Sequence, residues 1–470
     1  MGGPHMAIRF IGRQSELAVL ENAYGSAGSA FIPIYGRRRV GKSELILQFI
    51  RNKPGLYFLG KRAPGGLQIR EFLQAASVAL NEPLLAELSP RNWTDALRVI
   101  SERWKGPGKI VIVLDEFQWT ADANPELPSV LQEFWDRQWA ASGKVLLILC
   151  GSFVGFMERA VLGKKSPLYG RRTAQILLKP FGYRESAQFH PSFSLEDRAR
   201  TYFICGGIPP YLNCFSTDRS VEMNIAANFL NEFATLYREP DFLLREELRD
   251  IENYYGILLA IATGNATNHA ISKQTGIGER SLHYYLKQLT ELGYLGRRYP
   301  LTGEQPSLRH VRYAIEDPML RFWFRFVYPH TSFIQQMGSQ RALKDLVRPD
   351  LEAYFGSCFE RLCRETLPHL YEREGVTAPF DVGEYWDKET QIDVVGYRRD
   401  GWTDLGECKW GDVKSGRRLL DELEARVARY PNPRNATIGR RIFTRKALTG
   451  EGRASGSPVR CHSLRDLYAE

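Results

Sequence analysis

The sequence predicts an α/β multidomain chain: a parallel-sheet core, a helical segment, a winged helix-turn-helix module, and a smaller C-terminal α/β domain. Three observations carry that expectation. First, five continuous apolar runs lie between Ala7 and Lys179, at Phe31–Tyr35, Gly55–Leu59, Ile110–Leu114, Val145–Cys150 and Ala174–Leu178. Amphipathic stretches such as Ser43–Arg51, Gln68–Leu80 and Trp93–Trp104 separate them. Runs that are apolar at every position fit strands covered on both faces, as in a parallel sheet wrapped by helices. Second, the pattern turns helical from Tyr183 to about Glu247 and then into three short helices followed by a basic pair, up to about Ala314. Third, after an aromatic-rich stretch, Leu346–Glu470 mixes helices with strand-like Gln391–Tyr397 and Trp402–Trp410. The expected division is therefore 7–182, 183–249, 250–314, 315–345 and 346–470. Residues 1–6 (MGGPHM) read as a remnant of expression and are set aside.

Composition narrows the classes. In 470 residues, Lys and Arg number 63 against 54 Asp and Glu, a net +9 that suits a polyanionic partner. The longest apolar stretch, Val145–Phe156, is broken by Gly151 and Ser152, well short of the ~18–20 residues of a membrane span. The seven cysteines form no CxxC pair, which fits a reduced interior. A cytoplasmic protein without membrane contact is expected.

The first chemical site lies between the first run and the first amphipathic stretch. Gly36-Arg37-Arg38-Arg39-Val40-Gly41-Lys42-Ser43 fits GxxxxGK[ST] in the strand-to-helix setting that a phosphate-binding loop requires. Its glycines let backbone N–H groups, including those of Arg39 and Val40, curl around a phosphate at a helix N-terminus. Lys42 is expected on the β/γ-phosphates and Ser43 on Mg²⁺. Ile110–Leu114 then ends in Asp115 and Glu116; Asp115 is expected to support the Mg²⁺ and Glu116 to polarise the attacking water. Ser152, after the next apolar run, is either a contact to the γ-phosphate or water, or an ordinary turn residue.

Other segments carry a family resemblance. Phe10-Ile11-Gly12-Arg13-Gln14-Ser15-Glu16-Leu17 resembles the FxGRxxEL box of archaeal-type AAA+/STAND ATPases. Leu168-Tyr169-Gly170-Arg171, Leu178-Lys179-Pro180-Phe181 and Tyr313-Ala314-Ile315-Glu316-Asp317-Pro318 are similar to segments of the same family. Gly207-Ile208-Pro209 resembles its GxP element, so the resemblance implies ATP as the nucleotide and a nucleotide-sensing role for Pro209. It also implies a helical lid over 183–249 and nucleotide-dependent assembly of copies of the chain. Arg171, or Arg172, is then either an arginine finger offered to a neighbouring subunit or a surface arginine.

In the segment 250–314, a helix and a Gly276 turn precede a helix with Leu282, Tyr285 or Leu286, Leu289 and Leu292 at core spacing. Arg280, His283, Tyr284 and Lys287 fall elsewhere on it, and Gly296-Arg297-Arg298-Tyr299 reads as a wing strand edged by the loop Leu301–Ser307. Two uses stay open. The module reads double-stranded DNA with those residues and the basic pair Arg297 and Arg298, or it serves as a lid packed on the nucleotide domain.

At the C-terminal end, Asp393 sits in an apolar strand, and Glu407 and Lys409, two residues apart, share a strand face. A hairpin would bring Asp393 beside them. This resembles the D…ExK heart of PD-(D/E)xK, or restriction-endonuclease-like, nucleases, and Glu360 matches their helical acid. The resemblance implies Mg²⁺, or Mn²⁺, held by Glu360, Asp393 and Glu407, with Lys409 positioning a water. The expectation is an ATP-binding and ATP-hydrolysing protein that binds DNA and cleaves it, with nucleotide state gating assembly or DNA action. The rival is a nucleotide-sensing DNA-binding regulator whose nuclease-like domain is inactive.

Overall fold

The computed structural model describes residues 10–88, 90–304, 311–448 and 459–469. Residues 1–6 and positions 305–307 of the loop read as a wing edge lie outside the described residues. The chain divides into two compact units, residues 1–181 and 182–470.

The first unit is a five-stranded parallel sheet. Its strands are β1 (Ala30–Tyr35), β2 (Gly55–Leu59), β3 (Ile110–Asp115), β4 (Val145–Gly151) and β5 (Ile176–Leu177), in the order β2-β3-β4-β1-β5. Every residue of β1, β3 and β4 is buried, which is why these runs lack the alternation of a half-exposed strand. Helices Lys42–Ile50, Gly65–Ala79 and Trp93–Arg103 fall on the expected amphipathic stretches. Trp93, Phe72 and Phe58 meet edge-on or tilted, with ring centroids 5.0–6.0 Å apart, in the core of this unit. β5 is two residues long, shorter than the apolar run Ala174–Leu178 suggests, because only Ile34 and Tyr35 of β1 pair with it.

The second unit begins with helices alone, from Tyr183–Ala187 to Thr235–Glu247. Three helices follow (Ile251–Ala262, Asn268–Thr275 and Glu279–Glu291), then an antiparallel pair, β6 (Leu295–Arg298) and β7 (Arg312–Ile315). Asp317 caps the next helix, Pro318–Phe326, by accepting the Leu320 N–H at 2.8 Å. That helix buries Phe322, Trp323, Phe324 and Phe326, so the aromatic-rich stretch is a packed helix.

The long helix Arg348–Arg373 lies on a mixed sheet of β8 (Phe380–Trp386), β9 (Gln391–Arg398), β10 (Trp402–Lys409), β11 (Thr437–Thr444) and β12 (Val459–Ser463). The order is β12-β11-β10-β9-β8, with β8, β9 and β10 antiparallel in turn and β10, β11 and β12 parallel. Helix Gly416–Val427 makes the crossover between the parallel β10 and β11. Helix and sheet approach so closely at Gly396 that a Cβ there would meet the Tyr371 hydroxyl at 2.0 Å. That hydroxyl donates to Asp404 at 2.6 Å, and fully buried Arg441 binds Glu374 through both terminal nitrogens at 2.7 and 2.6 Å. No helix among the described residues is long and apolar enough to cross a membrane.

Candidate nucleotide and carboxylate sites

The phosphate-binding loop is built by the way β1 hands over to helix Lys42–Ile50. Gly36 (φ 153°) has no room for a side chain, since a Cβ would lie 2.2 Å from the Leu178 carbonyl oxygen. Arg39 (φ 67°) and Gly41 (φ 92°) turn the loop through left-handed backbone, a geometry that presents successive N–H groups to one concavity. Val40 is fully buried and anchors the loop from below. Lys42, 6% exposed, donates to the carbonyls of Gly36 and Arg37, both at 2.9 Å. Burial pushes its ammonium down from the usual lysine range, so a phosphate anion replacing those carbonyls would stabilise the charged form. Arg13, from the FxGRxxEL box, ties the loop down: its guanidinium donates to the Val40 carbonyl at 2.9 Å and the Lys179 carbonyl at 2.8 Å, and lies 4.0 Å over the Phe181 ring.

The acids of β3 reach the same sheet edge. The Ser43 hydroxyl donates to Asp115 at 2.6 Å, and the Tyr57 hydroxyl, from β2, donates to the same oxygen at 2.5 Å. A hydroxyl and a fully buried carboxylate side by side form a hard-oxygen donor set suited to Mg²⁺. When bound, the ion would neutralise charge on the phosphates. Glu116 is a non-glycine residue in left-handed backbone (φ 47°, ψ 44°) at the head of helix Phe117–Ala123, a strained conformation of order 1–3 kcal/mol. Its carboxylate accepts from Ser152 at 2.7 Å and from Gln118, and Gln118 also donates to Ser152 at 3.3 Å. Ser152 follows β4, the strand inserted between β1 and β3, and so reaches Glu116 directly.

Arg171 makes a two-pronged pair with Asp136 at 2.8 and 2.7 Å, so reaching any phosphate requires exchanging that partner. Pro209 opens the short helix Pro209–Asn213 in the second unit. Tyr57 and Gln118 escape a reading of motifs. Gln118 lies two places after Glu116, on the helix that turns back over it. Tyr57 becomes visible only once β2 is known to pair with β3, Leu59 opposite Asp115.

On helix Glu279–Glu291, Leu282, Leu286 and Leu289 are buried, while Arg280, His283, Tyr284 and Lys287 all face solvent. Lys287 pairs with Glu291 at 3.7 Å. On β6, Arg297 is exposed, and Arg298 is bound to Glu316 at 2.6 Å.

In the C-terminal sheet, the antiparallel register runs Leu405↔Val395 and Gly406↔Val394, and one step further sets Glu407 against Asp393. The Cys408 N–H donates to Asp393 at 3.0 Å. Asp393 and Glu407 are 5% and 1% exposed. Burial raises both carboxyls. Glu360, on helix Arg348–Arg373, is pushed up to about 8 by burial and then by the charge on Asp393. Glu407 is paired by Lys409 at 2.9 Å through one oxygen and by Arg426 through the other. Arg364 donates to the Asp393 carbonyl at 2.5 Å and lies 3.7 Å from Glu384. Arg364, Glu384 and Arg426 come from three different elements and carry no motif that a sequence could show. Cys408 is buried, and Trp410 packs among Phe203, Phe355 and Phe359. The acids and Lys409 are thus gathered, but among the described residues no group of three or more His, Cys, Asp or Glu side chains is set to hold a metal ion. Lys409 and Arg426 take both oxygens of Glu407, so a cation there would have to displace or share those partners.

Residues 10–215 match a family described as an ATPase domain predominantly from Archaea, and residues 323–419 match one described as archaeal and bacterial proteins of unknown function. An uncharacterised protein of Methanocaldococcus jannaschii is 30% identical over 409 residues, covering 86% of this chain and 88% of that one. An uncharacterised ATP-binding protein of the same organism is 44% identical over 46 residues, 10% of this chain and 78% of its own. A Walker-type ATPase of Pyrococcus abyssi superposes with a TM-score of 0.50 at 20% identity, over 67% of this chain and 96% of that one, a likeness of fold. The chain belongs to the family of the 30%-identical Methanocaldococcus protein and carries an archaeal-type ATPase domain over residues 10–215.

Proposed function

We propose that this chain hydrolyses ATP at the loop Gly36–Ser43 and uses its second unit to bind double-stranded DNA and cut it, with nucleotide state gating assembly or DNA action. In this reading Lys42 and the loop amides grip the phosphates. Ser43 and Asp115 hold the magnesium, and Glu116, released from Ser152 and Gln118, orients the attacking water. The three helices and two strands from Ile251 to Ile315 form a winged helix-turn-helix whose exposed Arg280, His283, Tyr284 and Lys287 face a groove, with Arg297 and Arg298 on the wing. The C-terminal domain is restriction-endonuclease-like.

The observation that carries the cleavage reading is the β9–β10 register, which sets buried Asp393 beside buried Glu407 with Lys409 2.9 Å from Glu407. The donor set is all carboxylate, as a hard ion prefers, and Mg²⁺ or Mn²⁺ held there would activate water and neutralise phosphate. Lys409 would position that water once Glu407 is shared with the ion. The test is strand scission on plasmid and linear DNA with Mg²⁺ or Mn²⁺, comparing the parent with Asp393→Asn. Scission lost in the variant, with ATP turnover intact, supports the reading.

The double pairing of Glu407 favours a second reading, in which the nuclease-like domain is inactive and the chain is a nucleotide-sensing DNA-binding regulator. Intact DNA under all nucleotide and metal conditions, with DNA binding retained, supports that one instead.

A further inference from the structure

The second unit contains a cavity of about 340 Å³ that none of the chemistry above uses. It is lined on one side of its chemistry by apolar groups, among them Ile261, Ala262 and Ala314, and on the other by Arg321, Arg325, Tyr354 and Ser357. Arg321 and Arg325 are four residues apart on helix Pro318–Phe326, so they share a face on which like charges repel. Arg325 pairs with the solvent-exposed Asp350 at 3.0 Å, a contact that is weak and easily exchanged.

Arg321 is half-buried; burial opposes its charge, but Cys358, Tyr354 and Glu316 nearby hold the guanidinium above the usual arginine range. Its Nε reaches the Tyr354 hydroxyl at 3.5 Å and its Nη1 the Ile315 carbonyl at 3.4 Å, both at the long limit of a hydrogen bond. Arg361 donates to the same Ile315 carbonyl at 2.8 Å. The carboxylate near both is Glu316, and Arg298 already holds it at 2.6 Å. Three guanidiniums are thus arranged around one carboxylate. Burial, and then the neighbouring Arg321, pushes Arg361 down to about 9. Arg298, Arg321 and Arg361 around the single Glu316 carboxylate, with Arg325 one turn on, leave net positive charge beside the cavity, a setting that favours an anion.

We propose that this cavity is a ligand site for a phosphate monoester bearing a planar apolar group, a molecule of nucleoside-monophosphate size. Arg321 grips the phosphate with the guanidinium fork that matches its oxygens. Arg325 closes over it after leaving Asp350, and Tyr354 and Ser357 supply hydroxyls. The apolar lining takes the planar part, and the volume lies within the usual range for small-molecule pockets of ~300–1,000 Å³. The site is chemically separate from the phosphate-binding loop and does not rest on the function proposed above.

Calorimetric titration of the full chain tests this, with the four ribonucleoside 5′-monophosphates, the matching nucleosides and inorganic phosphate as probes. It is run in a Lys42→Ala background that silences the phosphate-binding loop. Saturable binding of at least one monophosphate, with no binding of its nucleoside, is expected. Adding Arg321→Gln should weaken it at least 10-fold. Adding Ser357→Trp, at an exposed position on the cavity's lining, should block it without disturbing the core. If no monophosphate binds, or if binding survives Ser357→Trp, the proposal is overturned.

Discussion

At the scale of single residues, the chain concentrates strain and unusual charge where chemistry is expected. Glu116 is held in left-handed backbone with its carboxylate bound to Ser152 and Gln118. If Glu116 orients the attacking water, Glu116→Gln should leave ATP affinity within a few-fold while lowering turnover by about 10²–10³-fold. Equilibrium binding of a fluorescent ATP analogue beside a phosphate-release assay separates the two effects. A different residue sets a pH limit. His462 stacks on Phe443 with ring centroids 5.2 Å apart, and burial pushes its imidazole down to about 4 from the usual 6.5. The unfolded chain therefore binds a proton at this position between about pH 6.5 and 4 that the folded chain refuses. Stability should fall as pH drops through that window. His462→Phe should flatten the decline between pH 6.5 and 5, by about 1–2 kcal/mol in denaturant titrations.

At the scale of elements, the helix Glu279–Glu291 separates two jobs by face, leucines inward and Arg280, His283, Tyr284 and Lys287 outward. If that outward face meets DNA phosphates, the double variant Arg280→Ala/Lys287→Ala should lower the slope of log affinity against log salt by about 2, because two counterion-releasing contacts are lost. Fluorescence anisotropy on a duplex across a salt series reads it, and an unchanged slope would assign the helix another partner. The turn between β1 and helix Lys42–Ile50 allows a second prediction. Gly36→Ala sets a Cβ against the Leu178 carbonyl, so it should disturb the loop and abolish measurable ATP binding while the C-terminal sheet stays folded. Near-ultraviolet circular dichroism and ATP titration check this together.

Legibility also differed by element. β1, β3 and β4 were readable because complete burial leaves an unbroken apolar run. β8, β11 and β12 were not, since Asp381 and Glu384 break the first, Gly439, Arg440 and Arg441 the second, and Arg460 and His462 the third. Their polar residues are satisfied by tertiary partners that local pattern does not reveal, as Arg441 is by Glu374 and Asp404. For the same reason Lys42, Ser43, Asp115 and Glu116 could be named from spacing, whereas Tyr57, Gln118 and Arg426 required the sheet order and the crossover helix. The register that sets Asp393 against Glu407 followed from a tight antiparallel hairpin. The Arg426 side chain that occupies Glu407 did not.

At the scale of the whole molecule, an archaeal-type ATPase domain precedes a second unit that carries a helix with exposed Arg280 and Lys287, an arginine-lined cavity and a buried carboxylate cluster. If the proposed function holds, ATP hydrolysis and DNA scission reside in two separable centres. One reaction measures both: phosphate release from ATP and scission of a supercoiled plasmid, followed together with Mg²⁺ for the parent, Lys42→Ala and Asp393→Asn. Lys42→Ala should lose phosphate release, and Asp393→Asn should keep it within a few-fold while losing scission. Scission by Asp393→Asn at the parental rate, or phosphate release undiminished in Lys42→Ala, would contradict it.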